Sequence, residues 1–134
     1  MTQRAHFKWM LADLRLFLTG FMCRLLVHIA ASDVYDAVRF GLPVTGRDGS
    51  LWDIQPQSPA AGHVAAKTDT ISFDSRLHDT VLFACKGLAG YVTVKSGRRN
   101  AFTLYLNNFH CARSPDINPG HALGELAGAI YEHL

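Results

Sequence analysis

The residues of this 134-residue chain best suited to chemistry stand together in the stretch AGHVAAKTDT, residues 61–70. Lys67, Thr68 and Thr70 close a run that reads as a β-strand. An ammonium and hydroxyls at a strand end can fix a ligand's carboxylate, the lysine by positive potential and a threonine by donating a hydrogen bond. That is one part of a serine acyl-transfer site of the Ser-Lys kind, which also needs a nucleophile and a base. The same residues equally suit an ordinary solvated strand end. Residues two apart on a strand share a face, which puts Asp69 on the side of Lys67. There its carboxylate either pairs with Lys67 or opposes the carboxylate of a ligand. In a low-dielectric cleft a like charge a few ångströms away costs on the order of a few kcal/mol. That is a factor of roughly a hundred or more in binding.

Other constellations are weaker. The serines are Ser32, Ser50, Ser58, Ser72, Ser75, Ser96 and Ser114, and none has a lysine three residues later. His110 and Cys111 adjoin, with His78 and Cys85 upstream, but neighbours on a strand end point apart and do not share one zinc. No metal or other cofactor is expected. His63 could act as a base, although its place beside the strand suits a surface histidine. Lys95, Arg98 and Arg99 form a basic hairpin, read as a solvated turn. Gly41 and Gly46 have the separation of a phosphate loop, but Arg47 and Asp48 stand where lysine and a hydroxyl residue are needed. Cys23, Cys85 and Cys111 are an odd number without a CxxC pair, so they read as buried or incidental thiols rather than a disulfide framework. A formal charge of +2 with scattered basic residues gives no argument for nucleic acid.

These residues need a scaffold, and at this length it is one domain. With 49% apolar and 18% charged residues the composition is globular. Leu11, Leu14, Leu18, Phe21, Leu25 and Ile29 recur at steps of three and four, the stripe of an amphipathic helix. Asp13, Arg15, Arg24 and His28 interrupt it before the roughly 20 apolar residues of a membrane span. A signal-like segment ending at AAS, residues 30–32, and a membrane-surface helix are the lesser readings. Gly20 weakens the helix, and Ser32 and Asp33 can cap a short following one, VYDAVRF. Residues 41–62 are dense in Gly, Pro, Asp and Ser and read as a turn-rich connection.

Three strands then follow, HVAAKTDTI, TVLFACKGLAGYVTVK and AFTLYLNN, the last two joined by a turn at SGRRN with Gly97 supplying positive φ. In the third, Phe102, Leu104 and Leu106 alternate against Thr103, Tyr105 and Asn107. Asn118 as N-cap and Pro119 at the first position open a terminal helix, with Leu123, Leu126, Ala127, Ile130, Tyr131 and Leu134 as its buried stripe. The fold class is therefore α/β of the α+β kind. It is an antiparallel sheet flanked by N- and C-terminal helices, with residues 1–40 helical, 63–108 stranded and 118–134 the last helix.

The runs LPVTGRDGSL, SPAAGHVAAKTDT and KGLAGYVTVKSGRRNAFTLYLNN, in this order and spacing, resemble the C-terminal part of the DacB-type D-alanyl-D-alanine carboxypeptidases. These low-molecular-mass penicillin-binding proteins carry a Leu-Pro-Val-x-Gly-x-Asp-Gly turn, an Ala-Lys-Thr-Gly-Thr strand, a Leu-Ala-Gly-Tyr strand, a Ser-Gly-Arg turn and an Ala-Phe-x-Leu-x-x-Asn strand. The resemblance covers roughly residues 20–134 and implies a partial β-lactamase-like domain. It implies Lys67 as the electrostatic residue of a catalytic site, with Thr68 and Thr70 contacting substrate. It implies a peptidoglycan stem peptide or β-lactam as ligand once the site is completed, and an extracytoplasmic setting.

The departures are equally specific. The nucleophile motif Ser-x-x-Lys is absent from the chain, and so is the middle Ser-x-Asn motif. SDV at 32–34 lacks the asparagine, and YLN at 105–107 falls inside a strand. Asp69 stands in the glycine place. The expectation is an incomplete, inactive form of an acyl-serine carboxypeptidase, whether Met1 is a true start or a truncation. The alternative is a non-catalytic remnant or binding module of the same fold. A half-domain that exposes its sheet is expected to self-associate or dissolve poorly, unless the long N-terminal helix folds back over that sheet.

Overall fold

The structure is a computed structural model that describes residues 19–114 and 116–134. Leu11, Leu14 and Leu18 of the expected helical stripe lie outside the described residues. Helix α1 occupies 19–30 and runs through Gly20, and α2 spans Tyr35–Phe40. Ser32 does not cap α2. Its hydroxyl donates to the Ile29 carbonyl at 2.7 Å and so closes α1, which leaves Val34 as an N-cap without a side-chain bond.

After a turn-rich stretch with one short 3-10 turn at Gly49–Leu51 come β1 (Val64–Ser75), β2 (Thr80–Thr93) and β3 (Arg99–Ala112). They form one antiparallel sheet in the order β1-β2-β3. Gly97 turns the second hairpin at φ 81°, as its place in SGRRN requires. β1 and β3 run four residues further than their alternation suggests. Past a bulge at Ile71/Ser72 the strands continue to a first hairpin, where Arg113 clips Asp74 at 3.2 Å and Asp79 at 3.4 Å.

Helix α3 (Pro119–His133) covers one face of the sheet. Asn118 accepts a hydrogen bond from the Gly120 amide at 2.9 Å, and Pro119 opens the helix. On this side Val64, Ala66, Leu88, Val92 and Phe102 pack with Leu51, Ile54, Leu123, Ala127 and Tyr131, and Leu104 and Leu106 border the cluster. Leu126 and Leu134 do not join it: they are 53% and 60% exposed. Gly124 and Gly128 face inward instead, because Ile54 and Gln55 approach too closely for a side chain; a Cβ at 124 would stand 2.2 Å from Ile54 Cγ2.

The opposite face carries a smaller cluster of Leu26, Tyr35 and Tyr91 with Met22, Leu42, Ala89 and Ala101. Here too the expected stripe is rotated. Phe21 and Leu25 are exposed while Met22 and Leu26 meet the sheet, because Tyr91 donates its hydroxyl hydrogen to the Leu26 carbonyl at 2.8 Å and fixes which side turns inward. No helix among the described residues is long and apolar enough to cross a membrane.

Candidate functional site

The residues singled out by chemistry sit on β1, which is an edge strand. Its first turn of sequence is sheltered: the Ala66 amide donates to Pro43 at 2.9 Å, and Val64 accepts from the Thr45 amide at 3.0 Å. Residues of an antiparallel strand alternate between bonding their partner and facing away. Val64 and Ala66 therefore mark Thr68 and Thr70 as the next residues whose backbone groups point outward. Beyond Ala66 no backbone group among the described residues pairs with this edge.

The side chains alternate as well. Thr68 and Thr70 continue the row of Val64 and Ala66, on the α3 face, whereas Lys67 and Asp69 lie on the α1 face. Thr68 bonds the Ser50 hydroxyl at 3.2 Å, and Thr70 accepts from Lys86 Nζ at 2.7 Å. Lys67 is exposed and donates to its neighbour's carbonyl, Thr68 O, at 2.6 Å. Asp69 is exposed and forms no ion pair with Lys67, so the first of its two expected roles is not realised. Opposite it is Gly87, where a Cβ would stand 2.6 Å from the Tyr105 ring, so the phenol lies flat over the β2 backbone beside Asp69.

Asp69, Ile71, Cys85, Tyr105 and Asn107 line a cavity of about 360 Å³ on this α1 face. Burial, with Cys85 and then Asp69 adding to it, raises the Tyr105 pKa above the ordinary phenol value. Lys86, half-buried on the other face, is held below the usual lysine value by burial; Asp69 opposes that shift and Lys67 adds to it.

The remaining candidates are occupied with structure. His63 stacks on Tyr131 with ring centroids 4.8 Å apart. The basic hairpin is exposed, as its reading as a solvated turn expects; Arg98 donates to the Leu134 carbonyl at 3.3 Å and Arg99 lies 4.9 Å over the Tyr35 ring. His110 Nε2 pairs with the Thr80 hydroxyl at 3.1 Å, and Cys111 turns toward the Val81 carbonyl. Among the described residues no three His, Cys, Asp or Glu side chains converge as metal ligands. Sequence reasoning passed over Ser50 and Lys86. Lys86 did carry a signal, since it stands two residues before Leu88 on the apolar side of a buried strand.

Three comparisons bear on what this edge belongs to. Comparison with curated protein sequences finds no match. Among solved structures, the chain resembles the crystal structure of penicillin binding protein 4 (dacB) from Haemophilus influenzae, with 22% identity and a TM-score of 0.56. That likeness is one of fold, and it covers 83% of this chain and 23% of the other, so this chain spans under a quarter of its neighbour's length. The model of the D-Ala-D-Ala carboxypeptidase 3 (S13) family matches residues 18–122, which takes in α1, the connection and all three strands. With the Lys-Thr strand at the sheet edge, and that match over most of its length, the chain belongs to the D-Ala-D-Ala carboxypeptidase 3 family.

Proposed function

We propose that this chain is the strand-bearing portion of a serine D-Ala-D-Ala carboxypeptidase. It binds the acyl-D-Ala-D-Ala end of a peptidoglycan stem peptide and does not by itself cleave it. The observation that carries this reading is the edge of β1, unpaired beyond Ala66 among the described residues, where outward backbone groups at Thr68 and Thr70 adjoin Lys67 and two hydrogen-bonded hydroxyls. An extended peptide adds to such an edge as a further strand, with main-chain hydrogen bonds for affinity and alternate side chains for specificity. Lys67 supplies positive potential, and the Thr68 and Thr70 hydroxyls contact the ligand. Cleavage through an acyl-serine needs a nucleophile activated by a neighbouring base. No serine of this sequence has the lysine three residues on that the family's mechanism uses.

The test is labelling of the purified chain with a fluorescent penicillin. The expected result is no covalent band, because a β-lactam reports an acylable serine. A band that disappears on replacing one particular serine would show that the chain carries its own nucleophile and overturn this reading.

A further inference from the structure

We propose that Lys86 is the residue of the β1 edge that selects a ligand ending in a free carboxylate, by holding the Thr70 hydroxyl as an outward hydrogen-bond donor and placing a positive charge beside it. The proposal rests on the reading that this edge takes an acyl-D-Ala-D-Ala end. An ammonium can only donate. With Lys86 Nζ 2.7 Å from Thr70 Oγ1, the threonine oxygen is the acceptor, and its own proton remains to be given to something else. Thr70 is exposed on the outermost strand, so that proton is available to a ligand lying along the edge.

The two faces of β1 then differ in charge. On the α1 face Lys67 shares its surroundings with Asp69 and spends a hydrogen on the Thr68 carbonyl. On the α3 face Lys86 stands with Thr70, Thr68 and Ser50, three hydroxyl groups and one cation, while Asp69 points the other way. A carboxylate approaching this edge meets complementary charge on the α3 face and a mixed pair on the α1 face. Lys86 is half-buried under the first turn of α3, where Gly120 leaves its stem room, which limits its freedom and gives it one preferred reach. Burial lowers the Lys86 pKa, and Asp69, across the strand, opposes that shift.

The experiment is a calorimetric titration of the whole chain with N-acetyl-D-Ala-D-Ala and with its C-terminal amide. The wild type is expected to prefer the acid. Lys86→Met should reduce affinity for the acid roughly tenfold, the loss of one charge-assisted contact, and leave the amide nearly unchanged. Lys86→Arg, which keeps the charge, should retain most of the preference, and Lys67→Met should cost less than Lys86→Met. If Lys86→Met keeps the wild-type preference, or Lys67→Met alone abolishes it, the proposal is wrong while the stem-peptide reading stands. If the wild type binds both forms equally, the proposal is likewise wrong while the stem-peptide reading stands; if it binds neither, both fail together. Should Lys86→Met not fold, Thr70→Val carries the test: it must lose part of the preference for the acid, and an unchanged preference overturns the proposal.

Discussion

Replacing Asp69 by asparagine keeps the size of the side chain and removes its charge, so it isolates the repulsion this residue exerts on a ligand's carboxylate. The size of the effect follows from exposure. Two unit charges 4 Å apart interact by about 1 kcal/mol at the dielectric of water and about 4 kcal/mol at an effective value of 20. Asp69 is exposed on an edge strand, and its side chain lies on the face away from Thr68 and Thr70. The water-like limit therefore governs, and the gain expected for Asp69→Asn with N-acetyl-D-Ala-D-Ala is about fivefold, not the hundredfold a dry cleft would give. Asp69→Gly should bind at least as well as the asparagine variant, at a stability cost of about 0.5–1 kcal/mol for glycine within a strand. Calorimetry at two salt concentrations decides the cause. The gain should shrink between 0.15 M and 1 M, as the Debye length falls from about 8 Å to about 3 Å. An asparagine variant that binds no better than the wild type, or a gain indifferent to salt, would refute an electrostatic penalty at this position.

Further outcomes are expected elsewhere. Gly90→Ala should destabilise the fold by about 3 kcal/mol or more in urea unfolding, since its Cβ would meet the Ala65 carbonyl oxygen at 2.1 Å and the Ala66 Cα at 2.6 Å. Gly87→Ala should cost less, because its neighbour is a Tyr105 ring that can swing away, and equal losses would contradict this. Burial and Tyr35 raise the Tyr91 pKa above 10.0, so the stability from this phenol is full below pH 10 and is lost as pH rises through its higher folded value. Tyr91→Phe should flatten that alkaline decline in pH-dependent melting and cost about 1 kcal/mol at neutral pH for the lost bond to Leu26. Leu77 and Phe73, 88% and 60% exposed at the first hairpin, together with the edge of β3 that no described strand pairs, should make the chain self-associate. A monodisperse monomer in light scattering across a wide concentration range would contradict that.

What the sequence made legible was local. The Asn118 cap, the Pro119 start, the Gly97 turn and the alternation of Phe102, Leu104 and Leu106 each depend on a few neighbouring residues, and each stands where its pattern put it. The inward sides of α1 and α3 were harder to read. Both helices carry apolar residues around much of their circumference, and the choice was made by distant partners: Tyr91 for α1, Ile54 and Gln55 for α3. The candidate site divides in the same way. Lys67, Thr68 and Thr70 were visible from type and spacing. Their distribution over two faces follows from strand period, but which face meets α3 required the sheet. Ser50 reaches Thr68 across 18 residues and Lys86 reaches Thr70 across 16, through a loop and a strand register that no local pattern encodes. The bulge at Ile71/Ser72 is likewise a property of pairing, not of either strand alone.

The central claim is that the outer edge of β1 receives an extended peptide ending in D-Ala-D-Ala. Amide NMR shifts of the labelled chain during titration with a stem-peptide mimic ending in D-Ala-D-Ala test it most directly, with the L-Ala-L-Ala isomer alongside. The account predicts saturable shifts concentrated at Thr68 and Thr70, extending to Ser50 and Lys86, and much weaker shifts with the L isomer. Shifts that leave Thr68 and Thr70 unmoved, or that follow both isomers equally, would contradict it.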